Sequence, residues 1–204
     1  KTTTNKKKKK RSGKILNAIL SLLMFLGIVI MIAIMAFSGY IVMSAPEFDT
    51  DLLYSNEASI FYDKNGNEFA RVGTEQRELV YYDDLPQVLV DAIVATEDAR
   101  FFQHNGFDIV RFAKATLGQV TGQEGAGGAS TLTMQVAKNA FSRDEETGKI
   151  ESSGIKGIIR KFTDIYMAVF KLESNYTKEE IIEFYFNSQW LGYDGNLNYS
   201  GIYG

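Results

Sequence analysis

The residues best suited to chemistry sit in "VATEDARFFQHNGFD", Val94 to Asp108. An acidic pair, Glu97–Asp98, interrupts an apolar run and is followed by Phe101, Phe102 and the sole histidine, His104. A carboxyl group in apolar surroundings approaches the proton affinity of a usable general base. Glu97, flanked by Val94, Phe101 and Phe102, has that setting. Asp98 points about a quarter-turn away on a helix and is suited to organising the following loop by capping. With one histidine, a metal site of several His is excluded, and a Ser-His-Asp triad would have to use His104. The position of His104 before Asn105–Gly106 predicts a helix C-terminal cap, with Gly106 left-handed. Further along, Arg160, Lys161 and Asp164 have the spacing of an i,i+3/i+4 ion-pair set.

Two other patterns fail on inspection. Gly122 and Gly127 have phosphate-loop separation, but Gly128 and Ala129 stand where Lys and Ser/Thr are required, and the loop follows a helix rather than a strand. It is not a nucleotide site of that type. A Gly-rich loop leading into Ser130–Thr131 at a helix start can still attract anions through free N–H groups and the helix dipole. "SGIK", Ser153 to Lys156, matches a Ser-x-x-Lys nucleophile pattern, yet neither Ser-x-Asn nor Lys-Thr-Gly accompanies it. We read it as chance.

Several elements must position these groups. "SIFYDKNGNEFARV" alternates around Asn65–Gly66, the strongest short hairpin signal. A helix is expected from Asp84, as cap, and Pro86, in the first turn, with Val88, Ala92, Ile93, Ala95 and Thr96 as the stripe leading to Glu97. A second starts at Asp108, with Ile109, Phe112, Ala113, Thr116 and Leu117 on one face. A third, "TLTMQVAKNAF", is capped by Ser130 or Thr131. After a polar loop over 142–153 come an amphipathic helix, "GIIRKFTDIYMAVFKLE", and another, "TKEEIIEFYFN", opened by a Thr177/Glu180 capping box. The tail, "SQWLGYDGNLNYSGIYG", reads as loop.

Ahead of all this, residues 15–45 carry no charged side chain. A membrane-crossing helix needs about 20 such residues and a signal-peptide core only about 7–15. The run therefore reads as a membrane anchor. Residues 1–14 hold 8 Lys/Arg and no acid, a solvated, disordered tail that the positive-inside rule puts in the cytoplasm, with Lys6–Arg11 near anionic headgroups. The remainder is placed outside the membrane: a linker with the hairpin over 46–82, then a partial domain over 83–204. That body keeps 14 of the 22 basic residues against all 25 acidic ones, so nucleic acid is not an expected partner. Cysteine is absent, which excludes a disulfide framework and a Cys-based zinc site. The chain does not begin with Met and stops on "YSGIYG"; we expect a fragment.

Together these features resemble the peptidoglycan glycosyltransferase domain of class A penicillin-binding proteins and monofunctional transglycosylases, over about residues 55–204. The family's first motif, Glu-Asp-x-x-Phe-x-x-His-x-Gly, is matched by Glu97, Asp98, Phe101, His104 and Gly106. "GASTLTMQ", Gly128 to Gln135, matches the second, and Lys138–Asn139 also fits. The third, Arg-Lys-x-x-Glu, has Arg160 and Lys161 but Asp164 in place of Glu, one methylene shorter. The fourth is matched by Lys178, Ile181, Glu183, Tyr185 and Asn187.

The resemblance implies a mainly α, lysozyme-like glycosyltransferase domain with a small β-hairpin region and one N-terminal transmembrane helix. The domain would continue past Gly204. It implies a bacterial cell-membrane enzyme that joins lipid II to a lipid-linked glycan chain with inversion, releasing undecaprenyl pyrophosphate. Cell-wall synthesis or division proteins are its implied partners. Glu97 would be the base, with Asp164 a second catalytic carboxylate that binds a divalent cation (Mg2+ or Mn2+) or orients the nearby cations. Asp98, Ser130, Thr131, Gln135, Lys138, Arg160, Lys161, Glu183 and Asn187 would bind substrate, with the loop over 121–129 as lid or channel wall. Phe101, His104, Gly106 and Gly128 would frame the motifs. A lysozyme-like hydrolase or lytic transglycosylase, and a non-catalytic wall-binding ectodomain, are the competing readings.

Overall fold

Leu, Met and Ala lose little rotamer freedom in a helix, and residues 15–45 are rich in them. In the computed structural model these residues lie in one helix, α1 (Thr2–Ser44). The structure describes residues 2–54, 59–72, 75–76, 79–122, 128–143, 149–193 and 198–200. Within α1 the 29 residues Leu16–Ser44 are long and apolar enough to cross a membrane. At 1.5 Å per residue they span about 43 Å, against about 30 Å of hydrocarbon. The basic tail, expected to be disordered, is helical from Thr2 onward. Lysine is a good helix former, and extending an existing helix avoids the cost of nucleation.

The chain divides into two units, Lys1–Ser44 and Ala45–Gly204. The second begins with the expected hairpin, β1 (Ser59–Tyr62) antiparallel to β2 (Glu68–Val72). Its turn is built on Asp63, whose carboxylate accepts the backbone N–H groups of Asn65 and Asn67 at 2.7 and 2.9 Å. Gly66 takes φ +84° there. The short β3 (Glu75–Gln76) follows.

A 3-10 turn, Tyr82–Asp84, precedes α2 (Gln87–Glu97), with Pro86 as the N-cap residue. Asp84 therefore does not cap α2: its own backbone closes the 3-10 turn on Tyr81. The inward stripe of α2 also differs from expectation. Val90 is buried and Leu89, Ile93 and Val94 pack on the core, whereas Val88 is 75% exposed. Val90, Ile93, Val94 and Glu97 share the i, i+3, i+4, i+7 spacing of one helix face, so Glu97 still ends the core-facing stripe.

The next helix, α3 (Ile109–Thr121), is capped by Asp108, which accepts from the Arg111 N–H, and ends at Gly122 with φ +68°. Its predicted apolar face is not the buried one. Ile109 and Leu117 are exposed, and Ala115 is buried. The polar anchors at its N-terminus set its rotation, as described below.

Thr131 rather than Ser130 caps α4 (Leu132–Phe141). Leu132, Met134, Val136 and Ala137 are all buried, as expected of a helix apolar on nearly every side. It packs against α5 (Gly154–Met167), the π-helical turn Ala168–Leu172 that continues it, and α7 (Lys178–Ser188). The short α6 (Glu173–Asn175) joins the π turn to the Thr177/Glu180 capping box, which is present as expected. Phe101, Met167, Leu172, Ile181 and Phe184 complete the core.

The predicted terminal loop instead holds two strands. β4 (Trp190–Tyr193) is antiparallel to β5 (Asn198–Ser200), and β5 is parallel to β3. The partner strand lies more than a hundred residues earlier, beyond the reach of a local pattern.

Candidate active site

The site starts where α2 stops. Asp98 leaves the helical conformation at φ −157°, ψ 70°. Its side chain turns inward with no exposed surface. One carboxylate oxygen accepts the Leu132 backbone N–H at 3.1 Å, so Asp98 caps α4 from a distant part of the chain. His104 Nε2 lies 3.1 Å from both carboxylate oxygens, and Arg111 lies 3.7 Å from one of them. His104 thus holds Asp98, and the expected helix-capping role is not what it does. The other ring nitrogen, Nδ1, is buried with no partner among the described residues.

Gly106 has the expected positive φ, +78°. A Cβ there would stand 2.9 Å from the backbone of Ala168 in the π turn. The Gly106 carbonyl accepts from the Thr131 hydroxyl at 2.6 Å, while that hydroxyl also caps Met134 N–H at 3.1 Å. Lys178 at the start of α7 donates to the His104 carbonyl and to Glu173, both at 2.7 Å, and sits 4.2 Å from the centre of the buried Phe101 ring. Thr133 donates to the same Glu173 oxygen at 2.6 Å.

Arg111 ties the two halves together. It donates to the Glu97 carbonyl and, at 2.7 Å, to the Gly128 carbonyl. Asp108 accepts from the Arg111 N–H at 2.8 Å and pairs with Arg100. Burial works to raise the Asp108 carboxyl, but the Arg111 N–H and the Arg100 guanidinium outweigh it and hold the group below its ordinary value. These contacts fix the rotation of α3.

What this frame presents is Glu97. Its side chain is half-buried, and its carboxylate accepts from Gln135 Nε2 at 2.8 Å. No cation pairs with it among the described residues. Tyr185 of α7 is close enough to sense its charge: burial pushes the phenol up, and Glu97 pushes it further. Tyr185 thus stays a neutral O–H donor.

Gln135, Lys138 and Ser142 lie on one side of α4 and its C-terminus, at the i, i+3, i+7 spacing. Ser142 is about 10 Å along the axis from Gln135. There it meets α5. Ser142 donates to Asp164 at 2.6 Å, and Arg160 pairs with the other Asp164 oxygen. Arg160 Nε also donates to the Glu151 carbonyl at 2.6 Å. Burial raises the Asp164 carboxyl above its ordinary value; the Ser142 hydroxyl and the charges of Arg160, Lys138 and Lys161 oppose that rise. Three cations near one carboxylate leave this end of the site with excess positive charge.

The sequence-derived residues therefore fall into different places. Glu97 and Gln135 meet, and Lys138, Arg160, Lys161 and Asp164 gather. Asp98, Thr131 and Asn187, expected to bind substrate, are buried. Asn187 accepts the Val80 N–H at 3.0 Å and donates to the Val80 carbonyl at 2.9 Å, and Glu183 accepts the Tyr82 N–H at 2.9 Å. Both hold the extended segment and 3-10 turn that lead into α2. Burial and the like charges of Glu180, Asp83 and Asp84 raise the Glu183 carboxyl, against the Tyr82 N–H. Ser130 is half-buried and Gly128 exposed, just ahead of the α4 cap. Residues 123–127 of the expected lid lie outside the described residues.

Asp164 does not make a cation site with its neighbours. A hard divalent ion takes several oxygen ligands, and here the surroundings are three basic side chains. Asp98, His104 and Asp108 do bring ligand atoms within 4.8 Å of one another, but the guanidinium groups of Arg100 and Arg111 already serve those carboxylates.

Arg111, Ser142, Glu173 and Lys178 were absent from the expected site. Arg111 had a local signal: a cation in a helix's first turn opposes the dipole, so a specific partner was to be expected. Ser142 had none.

A family model described as Transglycosylase matches residues 65–204. Penicillin-binding protein 1A/1B of Bacillus subtilis (strain 168) is 36% identical over 181 residues, 89% of this chain and 18% of that protein. Penicillin-binding protein 1A of Neisseria gonorrhoeae is 37% identical over 131 residues, 64% of this chain and 15% of that protein. The protein of that name from Neisseria cinerea is likewise 37% identical over 131 residues. The chain thus spans less than a fifth of the length of these relatives.

Proposed function

Because this chain belongs to the transglycosylase family, we propose that it is the membrane-tethered part of a peptidoglycan glycosyltransferase. Its substrates are lipid II as acceptor and a glycan chain on a lipid pyrophosphate as donor. The observation that carries the reading is the Glu97 carboxylate, held by Gln135 of α4 without a neutralising cation among the described residues, while the same side of α4 carries Lys138 and, about 10 Å along the axis from Gln135, Ser142 on the Asp164 cluster.

Glu97 takes the proton from the acceptor sugar's 4-hydroxyl. The freed oxygen attacks the donor's anomeric carbon from the face opposite the pyrophosphate. A β-1,4 bond forms, the C–O bond to pyrophosphate breaks with its electron pair leaving on oxygen, and configuration inverts. Lys138, Arg160 and Lys161 supply preorganised positive charge where the leaving group becomes more negative. Asp164 orients Arg160 rather than touching substrate. A divalent cation would be held by the pyrophosphate oxygens rather than by Asp164, and would supply further charge stabilisation there.

The α1 span anchors the enzyme, with the lysine-rich end cytoplasmic and the catalytic unit outside. Confining enzyme, donor and acceptor to one surface raises their effective concentration. Other cell-wall synthesis proteins are the partners this reading implies, tested by co-purification.

The deciding assay gives labelled lipid II to the full chain in liposomes. We expect polymer, and its loss by roughly 10²–10⁴-fold in Glu97→Gln. Unchanged polymerisation by that variant removes Glu97 as base. Cleavage of purified wall glycan with no lipid II polymer replaces the proposal with a hydrolase.

A further inference from the structure

Ser142 matches no recognised motif, yet it makes a 2.6 Å hydrogen bond to one of the site's buried carboxylates. It sits just past the last residue of α4, and Asp164 lies on α5, where the residue is 3% exposed. Its two oxygens are shared between two helices. Oδ1 accepts from Ser142, and Oδ2 accepts from Arg160 one turn earlier on α5. Among the described residues Ser142 is the donor that serves Oδ1. Removing it leaves a buried carboxylate oxygen unserved, which costs more than the bond itself is worth.

The consequence falls on Arg160. A guanidinium has five N–H donors in a rigid fork. Among the described residues, Nε–H is engaged by the Glu151 carbonyl and one Nη1–H by Asp164. These two contacts lie on opposite sides of the guanidinium, since Nε–H shares its edge with Nη2 and not with Nη1, and together they fix its plane. The donors on Nη2 have no partner among the described residues, and the side chain keeps 19% of its surface exposed. A planar, held guanidinium whose Nη2 donors are free can donate them to phosphate oxygens. Lys138 and Lys161 add charge at the same carboxylate.

We propose that Ser142 is a positioning residue: by locking Asp164, it holds the free Nη2 donors of Arg160 toward a pyrophosphate-bearing ligand. The inference rests on the proposed glycosyltransferase reading for the identity of that ligand, though not for the geometry. Asp164 is then the middle of a relay from the end of α4 to the Arg160 fork.

The test uses the full chain in detergent and inorganic pyrophosphate as the probe, titrated by calorimetry without metal. Ser142→Ala should weaken binding roughly 3- to 10-fold, and Ser142→Thr, which keeps the hydroxyl, should restore it. In an Arg160→Ala background, Ser142→Ala should cause no further loss. Thermal unfolding verifies that each variant is folded. If Ser142→Ala does not fold, Asp164→Asn, which keeps the side-chain shape, carries the same comparison. The proposal is overturned if Ser142→Ala binds like the parent, if its loss is equal with and without Arg160, or if the parent binds no pyrophosphate. Pyrophosphate binding that follows the expected pattern in a protein that does not polymerise lipid II would sink the glycosyltransferase reading and leave this one standing.

Discussion

Glu97 and Asp98 are chemically similar neighbours with opposite surroundings. The Asp98 carboxylate meets a backbone N–H, an imidazole and a guanidinium, all within the protein. Glu97 meets one carboxamide and keeps part of its surface exposed. Asp98→Asn is therefore expected to cost stability, roughly 2 kcal/mol or more, measured by denaturant unfolding. Gln135→Ala should instead leave stability nearly unchanged and lower kcat about tenfold, with KM little altered, since its bond orients the base. Asp164 yields a pH prediction. Its folded-state carboxyl is raised, chiefly by burial, so the folded protein holds that proton more tightly than the unfolded chain. The associated stability is present below the ordinary carboxyl range and fades as pH rises through the raised value. Unfolding free energies of the parent minus those of Asp164→Asn should accordingly grow as pH falls from neutrality. A difference that shrinks on acidification would contradict the burial argument.

At the scale of elements, the site is assembled by helix ends rather than helix faces. The end of α2 supplies Glu97 and Asp98, the start of α4 receives Asp98, and the π turn lies against Gly106. Gly106→Ala has to accept a left-handed residue and a Cβ 2.9 Å from the Ala168 backbone. Those two penalties sum to about 2 kcal/mol or more. We expect a correspondingly lower Tm and a loss of activity. Gly66, at φ +84° with open space around it, should tolerate alanine better. The capping box on α7 was legible because its two residues are three apart in sequence. The buried face of α3 was not, because Arg111 contacts at the ends of other elements set its rotation.

On the scale of the whole molecule, the chain joins a long apolar helix to a mainly helical unit. The full chain is expected to float with vesicles, and a variant lacking residues 16–44 to stay in the aqueous layer. Adding anionic lipid should strengthen recovery by about 1 kcal/mol for each lysine near the surface at low salt, an effect that replacing Lys6–Lys10 with glutamine should reduce in proportion, since Lys1, Arg11 and Lys14 remain.

Local order alone determined much of this protein: the membrane-length run, the Asn–Gly hairpin, the Thr177/Glu180 cap and the four motifs in their sequence, because each depends on residues within a few positions of one another. Only the tertiary structure decided which acids work and which support. Asp98 reaches Leu132 across 34 positions, Ser142 reaches Asp164 across 22, and Asn187 reaches Val80 across 107. A carboxylate buried against donors becomes frame, and one left half-exposed with a single donor stays available for proton transfer. That choice depends on long-range packing, which no spacing along the chain encodes.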